Sequence, residues 1–239
     1  MVSCSIVIPV HNEAENLQVL IKQFLDKLGS SRQNVHEVLL MENGSTDNTL
    51  QVCKRLEEKW PDLVVAHKLP FPSYGEAVKQ GIMSASGNVV CVLECDAMDI
   101  SFFASSLEVF EENQADFVVG SKQHPESHDM RPFKRRMLTY LFNCYLKIFF
   151  KFPGSDTHGL KAIRTDTAKT ICEAAITGGE VFQTEIVLLA HRMGFKVVEM
   201  PINLSEVRNT KVSIHRRLPK VMSIIKELKQ SLSRFPEKN

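Results

Sequence analysis

Between residues 3 and 94, short apolar runs rich in β-branched side chains alternate with segments of helical periodicity, and this alternation limits the fold more than any other feature. Residues 3–9, 35–41, 63–67 and 87–94 read as strands. Between the first two, Leu17, Leu20, Ile21, Phe24, Leu25 and Leu28 repeat at the spacing of one helix face, and Gly29 ends the segment. Ahead of it, Asn12 with Glu15 three residues later has the pattern of a capping box. A second helix runs from the turn at 44–47 to about Trp60, closed by Pro61, and a third spans 74–85. Strands joined through helices must pair in parallel, with the helices covering the sheet. The expected class is therefore α/β, with a mostly parallel central sheet and helices on both faces.

The second half is less regular. Residues 117–121, 160–164 and 196–200 read as strands, and 165–175, 181–193 and 218–232 as helices. A long helix is expected over 132–152, with Pro132 at its start and Pro153-Gly154 after its end. The chain changes character near Ser205, so the expected division is a domain over 1–205 and a basic helical tail over 206–239.

At 239 residues, 44% hydrophobic and 24% charged, the chain has the composition of a globular protein. The net charge of +1 points away from a nucleic-acid partner. Charge is nevertheless concentrated: residues 207–239 hold nine Lys/Arg against two Glu, and residues 130–155 hold six Lys/Arg and no acid. Both stretches suit phosphates or an anionic membrane. The 132–152 segment joins Lys134, Arg135 and Arg136 to Leu138, Leu141, Phe142, Leu146, Phe149 and Phe150. It reads equally as an interfacial helix and as a core helix with a basic end. No leader-like segment or apolar run near ~18 residues is present. The six cysteines lack C-x-x-C spacing, so a reducing, cytoplasmic setting is expected, with peripheral membrane attachment.

The strand at 87–94 ends in Glu94-Cys95-Asp96. In an open α/β sheet the ligand lies outside the carboxyl ends of the strands. If buried, acidic groups there call for a cationic partner such as a divalent metal carrying a nucleoside diphosphate; the equal alternative for the triplet alone is a strand running into an acidic surface loop. Asp96 is the leading candidate for metal and diphosphate contact, with Glu94 beside it. The competing role for Asp96 is a cap on the next helix. Asp99 is a further carboxylate, equally compatible with plain exposure. Asp47 reads as a cap for the second helix.

Several further segments stand in a telling order: Ser5-Ile6-Val7-Ile8-Pro9-Val10-His11-Asn12-Glu13, Glu42-Asn43-Gly44-Ser45-Thr46-Asp47, Tyr74-Gly75 through Gly81 to Gly87, and then Glu94-Cys95-Asp96. Lys134-Arg135 with Thr139 and Asn143, Ser155-Asp156 with Gly159, Phe182-Gln183 with Glu185, and Glu199, Pro201-Ile202 and Arg208 follow. Together, over roughly residues 3–213, they resemble the family 2 glycosyltransferases of the GT-A fold. The likeness is greatest to the branch that transfers mannose or glucose to dolichyl or polyprenyl phosphate. Four positions depart from the pattern. Glu94 stands for the first Asp of D-x-D, Glu42-Asn43 for the D-D pair, Tyr140 for an Arg of the lipid-phosphate branch, and Ile214 for a Lys.

The resemblance implies an inverting transfer of a hexose from a nucleoside diphosphate sugar, GDP-mannose or a UDP-sugar, to a polyprenyl phosphate at the cytosolic membrane face. It implies Mg²⁺ or Mn²⁺ held by Glu94 and Asp96. Pro9, His11, Glu13, Glu42, Gly75, Glu94, Asp96 and Arg208 would hold the nucleotide sugar. Gly75 is expected to allow close backbone approach of the nucleotide. Lys122, Arg135 and Arg136 would hold the acceptor phosphate. Asp96 and Glu185 are the catalytic candidates. Glu185 would be a general base for a hydroxyl acceptor, or would orient the sugar or Arg208 for a phosphate acceptor, which is already an anion at pH 7. Two alternatives stand beside this reading: the same fold glycosylating a hydroxyl acceptor in polysaccharide or glycoconjugate synthesis, and a non-catalytic nucleotide-sugar-binding protein.

Overall fold

The computed structural model describes residues 2–95, 97–204 and 218–235. Asp96 and Arg208 lie outside the described residues, as does Ile214. Strands β1 (Cys4–Val10), β2 (Val35–Glu42), β3 (Val64–Lys68) and β4 (Val89–Val92) are connected by helices α1 (Leu17–Lys27), α2 (Thr49–Lys59) and α3 (Tyr74–Ser84). Then come α4 (Ile100–Glu111), β5 (Phe117–Ser121), β6 (His128–Asp129), α5 (Phe133–Phe150), β7 (Lys161–Arg164), α6 (Thr165–Ala174), α7 (Phe182–Met193), β8 (Val197–Pro201), β9 (Asn203–Leu204) and α8 (Leu218–Leu232).

The main sheet has the order β3-β2-β1-β4-β7-β5-β8, and β6 pairs with β9 in a separate two-stranded ladder. Pairing is parallel except on both sides of β7, which runs antiparallel to β4 and β5. The sheet is thus mostly parallel, as the alternation predicts. From β1 the chain first builds outward through β2 and β3, then returns to lay β4 on the other side of β1. The gap between β1 and β4 is the topological switch point, where α/β sheets bind ligands.

Strand side chains alternate between two cores. Ile6, Ile8, Val38, Leu40 and Cys91 face α1, α2 and α4. Val7, Leu39, Met41, Val90 and Ile163 face α3, α6 and α7, and Leu228 and Leu232 of α8 join this second layer. Helix α8 is tied on by Arg192, whose Nη1 donates to the carbonyl of Leu232, and by Arg234, whose Nη1 donates to that of Ala174.

Two local features differ from the sequence reading. Asn12 does not cap α1. It sits in the left-handed region at φ 55°, its Oδ1 accepts from the Thr46 N–H, and the helix starts at Leu17. Asn tolerates that backbone, and its side chain serves the neighbouring loop instead. Helix α4 has no counterpart in the sequence reading. Asp99 caps it by accepting from the N–H groups of Ser101 and Phe102, and Phe102, Phe103, Leu107 and Phe110 bury its inner face. The N-cap of this helix is thus Asp99, while Asp96, the cap considered from the sequence, lies outside the described residues.

Candidate active site

The carboxyl ends of β1, β2 and β4 bring together Pro9, His11, Glu42, Asn43 and Glu94. The loop after β1 is tied to the loop after β2. His11 Nδ1 donates to the Asn43 carbonyl at 2.7 Å, and Asn12 Nδ2 donates to His11 Nε2 at 3.2 Å, which together select the Nδ1–H tautomer. The Glu13 N–H donates to Thr49 Oγ1, and Asp47 accepts from the Thr49 N–H and hydroxyl. Glu42 is buried, and its Oε1 accepts from the Ser45 N–H at 2.5 Å. Asn43 Oδ1 accepts from the Ser73 N–H, which seats the start of α3. The expected nucleotide residues on these loops therefore lie side by side at the switch point.

Gly75 is required, but for a different neighbour than expected. A Cβ there would lie 2.5 Å from the Gly179 carbonyl oxygen and 2.6 Å from Phe182 Cβ. The close approach it permits is that of the protein's own 179–182 segment.

Glu94 follows β4. Its Oε1 accepts from the Tyr74 hydroxyl at 3.3 Å and from Gln183 Nε2 at 3.4 Å. Gln183 Nε2 also donates to the Tyr74 oxygen at 2.5 Å. Burial and then the Glu94 carboxylate push the Tyr74 phenol well up, so it stays a neutral donor. Both donors fall on Oε1, and among the described residues no donor is seen on Oε2, a hard oxygen that could ligate a cation. Among the described residues no three acidic, His or Cys side chains cluster as a metal site. A cation here would take its other ligands from Asp96, phosphates and water, as Mg²⁺ does at phosphate-binding sites.

Behind Glu94 lies a buried basic group. Lys161, at the start of β7, is 2% exposed. Its Nζ donates to Gln183 Oε1 at 2.7 Å and to the Gly159 carbonyl at 2.8 Å. Burial, then the Lys122 charge, push this ammonium down to about 7 against the pull of Asp156 and Glu94.

Lys122 is engaged within the protein. Its Nζ pairs with Asp156 Oδ2 at 3.1 Å and donates to the His158 carbonyl. Asp156 is fully buried and also accepts from the backbone N–H groups of Lys122 and His158. Burial alone would raise its carboxyl. The Lys122 ammonium and these N–H groups outweigh burial and hold the pKa down to about 2. Glu199 accepts from the Ser155 N–H and hydroxyl and fixes the same loop. Arg135 lies half-buried and Arg136 exposed on the first turn of α5. Arg131, which the sequence reading did not single out, clamps this end of α5 by a bidentate pair with Asp129 and a bond to Thr139 Oγ1.

Glu185 is fully buried in α7. Its Oε1 accepts from the Ile176 N–H, and its Oε2 from the N–H and hydroxyl of Thr177. Positions 183 and 185 differ by about 200° around a helix. Gln183 accordingly faces Glu94 while Glu185 holds the loop behind α7.

The residues missed from the sequence are Tyr74 and Lys161 as polar neighbours of Glu94. Lys161 carried one signal: it shares a strand face with Ile163, where period-2 alternation calls for an apolar side chain.

The glycosyl transferase family 2 model matches residues 5–172. Curated relatives include the dolichyl-phosphate beta-glucosyltransferases of Dictyostelium discoideum (24% identical, covering 87% of this chain and 68% of that one) and Saccharomyces cerevisiae (25%, 88% and 69%). Glycosyltransferase AglD of Haloferax volcanii is 24% identical over 90% of this chain, which spans only 35% of AglD's length. Among solved structures, glucosyl-3-phosphoglycerate synthase from Mycobacterium tuberculosis, in complex with Mn²⁺, UDP and glucosyl-3-phosphoglycerate, superposes with a TM-score of 0.66 at 18% identity. That match covers 100% of this chain and 81% of the other. Mannosyl-3-phosphoglycerate synthase from Rubrobacter xylanophilus gives 0.64 at 15%, covering 98% and 75%. The fold is GT-A. With the matched segment running from β1 into α6 and taking in the whole switch-point site, the chain belongs to glycosyl transferase family 2.

Proposed function

We propose that this glycosyltransferase moves a hexose from a nucleoside diphosphate sugar to the phosphate of a polyprenyl phosphate at a membrane surface. The observation that carries the reading is the character of α5 and its place beside the site. Met130 is 79% exposed, Phe133 71%, Ile148 73% and Phe149 59%. Exposed Lys134, Arg136, Lys147 and Lys151 are interspersed with them. Large apolar side chains beside cationic ones suit a helix lying in the interface of an anionic bilayer. No helix among the described residues is long and apolar enough to cross a membrane. Helix α5 borders the site through Phe142, whose ring meets His158 edge-on at 5.4 Å, next to the Lys122–Asp156 pair.

The chemistry agrees with a phosphate acceptor. A phosphate monoester is already anionic at neutral pH and attacks without a general base. Glu185, whose two oxygens are taken by residues 176 and 177, is then a structural group. Glu94 and Asp96 would hold a divalent cation, Mg²⁺ or Mn²⁺. When bound, that cation stabilises the charge on the departing diphosphate. Pro9, His11 and Glu42 would line the nucleoside pocket, and Arg135 and Arg136 would meet the acceptor phosphate. The names of the curated relatives support glucose as the sugar, which makes a UDP-hexose the first donor to test.

The test supplies labelled UDP-glucose or GDP-mannose, Mn²⁺ or Mg²⁺, and anionic vesicles containing a polyprenyl phosphate. The expected result is a labelled glycolipid and cosedimentation with the vesicles. Salt, and the triple change Lys134→Glu, Arg135→Glu, Arg136→Glu, should both weaken cosedimentation, since each basic group near such a surface contributes roughly 1 kcal/mol. Transfer only to a soluble hydroxyl acceptor, without vesicle binding, would replace this reading with the hydroxyl-acceptor one. Nucleotide-sugar binding without turnover on any acceptor would favour a non-catalytic binding protein.

A further inference from the structure

Lys161 is a buried amine that the proposed chemistry does not use. Among the described residues the Lys161 side chain makes no ion pair. Its two partners, Gln183 Oε1 and the Gly159 carbonyl, are neutral. Burying an ammonium on neutral acceptors is unfavourable compared with an apolar side chain of similar volume.

We propose that Lys161 is a positioning residue for Glu94, acting through Gln183 and Tyr74. The inference rests on the reading of Glu94 as a cation-binding carboxylate. The Lys161 Nζ donates to both the Gly159 carbonyl and Gln183 Oε1, so the amide presents its oxygen to Lys161. That fixes the amide's orientation and turns Nε2 toward Tyr74 and Glu94. With Nε2 donating to the Tyr74 oxygen at 2.5 Å, the Tyr74 proton is directed to Glu94 Oε1. Nε2 itself adds a second contact to the same oxygen at 3.4 Å. The chain Lys161–Gln183–Tyr74–Glu94 thus has a single donor direction, set from its buried end. It loads both donors on Oε1 and reserves Oε2 for the cation. Without the Lys161 donor the Gln183 amide is free to turn over. Its oxygen then competes for the Tyr74 proton, and Glu94 loses both constraints. Outer-shell groups of this kind change metal affinity by about 10–100-fold.

The experiment measures the Mn²⁺ concentration that half-saturates UDP binding, by calorimetry, in the wild type, Lys161→Met and Gln183→Glu. The second variant pairs directly with Lys161 and removes the donor to Glu94, so the test does not depend on one substitution. Both variants should raise the Mn²⁺ midpoint at least about tenfold. Metal-free UDP binding should stay unchanged, and the metal-free thermal midpoint of Lys161→Met should stay within a few degrees of wild type. A merely structural lysine would show the reverse: a large fall in thermal midpoint and an unmoved Mn²⁺ midpoint. That result overturns the proposal, as does an unmoved Mn²⁺ midpoint in both variants. A wild type whose UDP binding ignores Mn²⁺ overturns the cation reading of Glu94 itself, and this inference with it.

Discussion

Replacing Glu185 separates a structural carboxylate from a catalytic one. Its three donors are the N–H of Ile176, the N–H of Thr177 and the Thr177 hydroxyl, all meeting a fully buried side chain. In Glu185→Gln one oxygen becomes an NH₂ that faces a backbone N–H. Leaving a buried donor unsatisfied costs about 1–3 kcal/mol. For a chain of this size a loss of ~2 kcal/mol lowers the thermal midpoint by about 4–8 °C. Glu185→Ala strips all three acceptor contacts and leaves two backbone N–H groups and a hydroxyl without their acceptor, at about 1–3 kcal/mol for each one that stays unsatisfied. The loop held by Glu185 leads into the 179–182 segment that packs on Gly75, so part of this strain reaches the start of α3. Turnover should fall no more than about tenfold in Glu185→Gln, measured below its thermal midpoint, because a phosphate acceptor has no proton for a base to remove. The assay is thermal unfolding alongside kcat on the same preparation. A general base contributes about 10²–10⁴-fold. A loss of that size with an unchanged thermal midpoint would refute the structural assignment and return Glu185 to the reaction.

Two further outcomes are expected. Because the Asp156 pKa is depressed in the folded state, its contribution is present above the unfolded value near ~3.9 and is lost as pH falls toward about 2. Asp156→Asn should therefore flatten the pH 2–4 limb of a urea-stability series by roughly 2 kcal/mol while lowering stability at neutral pH; an unchanged acid limb would contradict the pairing with Lys122. At the cation site, Asp96→Ala should abolish Mn²⁺-dependent nucleotide binding and Glu94→Asp should preserve it, as calorimetry would show; full metal dependence in Asp96→Ala or in Glu94→Ala would remove that residue from the ligand set.

The alternating first half made the architecture legible because each element there is local. β-branched runs and one-face helical repeats state their own identity, and the strand at 117–121 and the helix at 218–232 appear at the predicted residues. Strand direction is another matter. Lys161–Arg164 has the composition of any short strand, and nothing within it reveals that it runs antiparallel between β4 and β5. Direction depends on the path of α5 and the 151–160 loop. Helix α4 was readable in principle, since Asp99 with the apolar spacing of Phe103, Leu107 and Phe110 is a start signal followed by a face. Its crowded Phe102-Phe103 pair and two serines blur the period.

The site was legible at the ends of strands and obscure where side chains turn. Of the Gln183 and Glu185 pair, the sequence put Glu185 forward as the reaction candidate. The helix sends them apart, and only Gln183 reaches Glu94. Gly75 shows the same limit, because a glycine signals close approach without saying what approaches, and here it is backbone at Gly179. Lys122 and Lys161 both lie near the site. Their partners divide them: Lys122 has a buried carboxylate, Lys161 only amide and backbone oxygens. A sequence records both as Lys. What separates an ion pair that secures a loop from a donor that sets the direction of a hydrogen-bond chain is the partner at 3 Å, and that partner lies 34 residues away for Lys122 and 22 for Lys161.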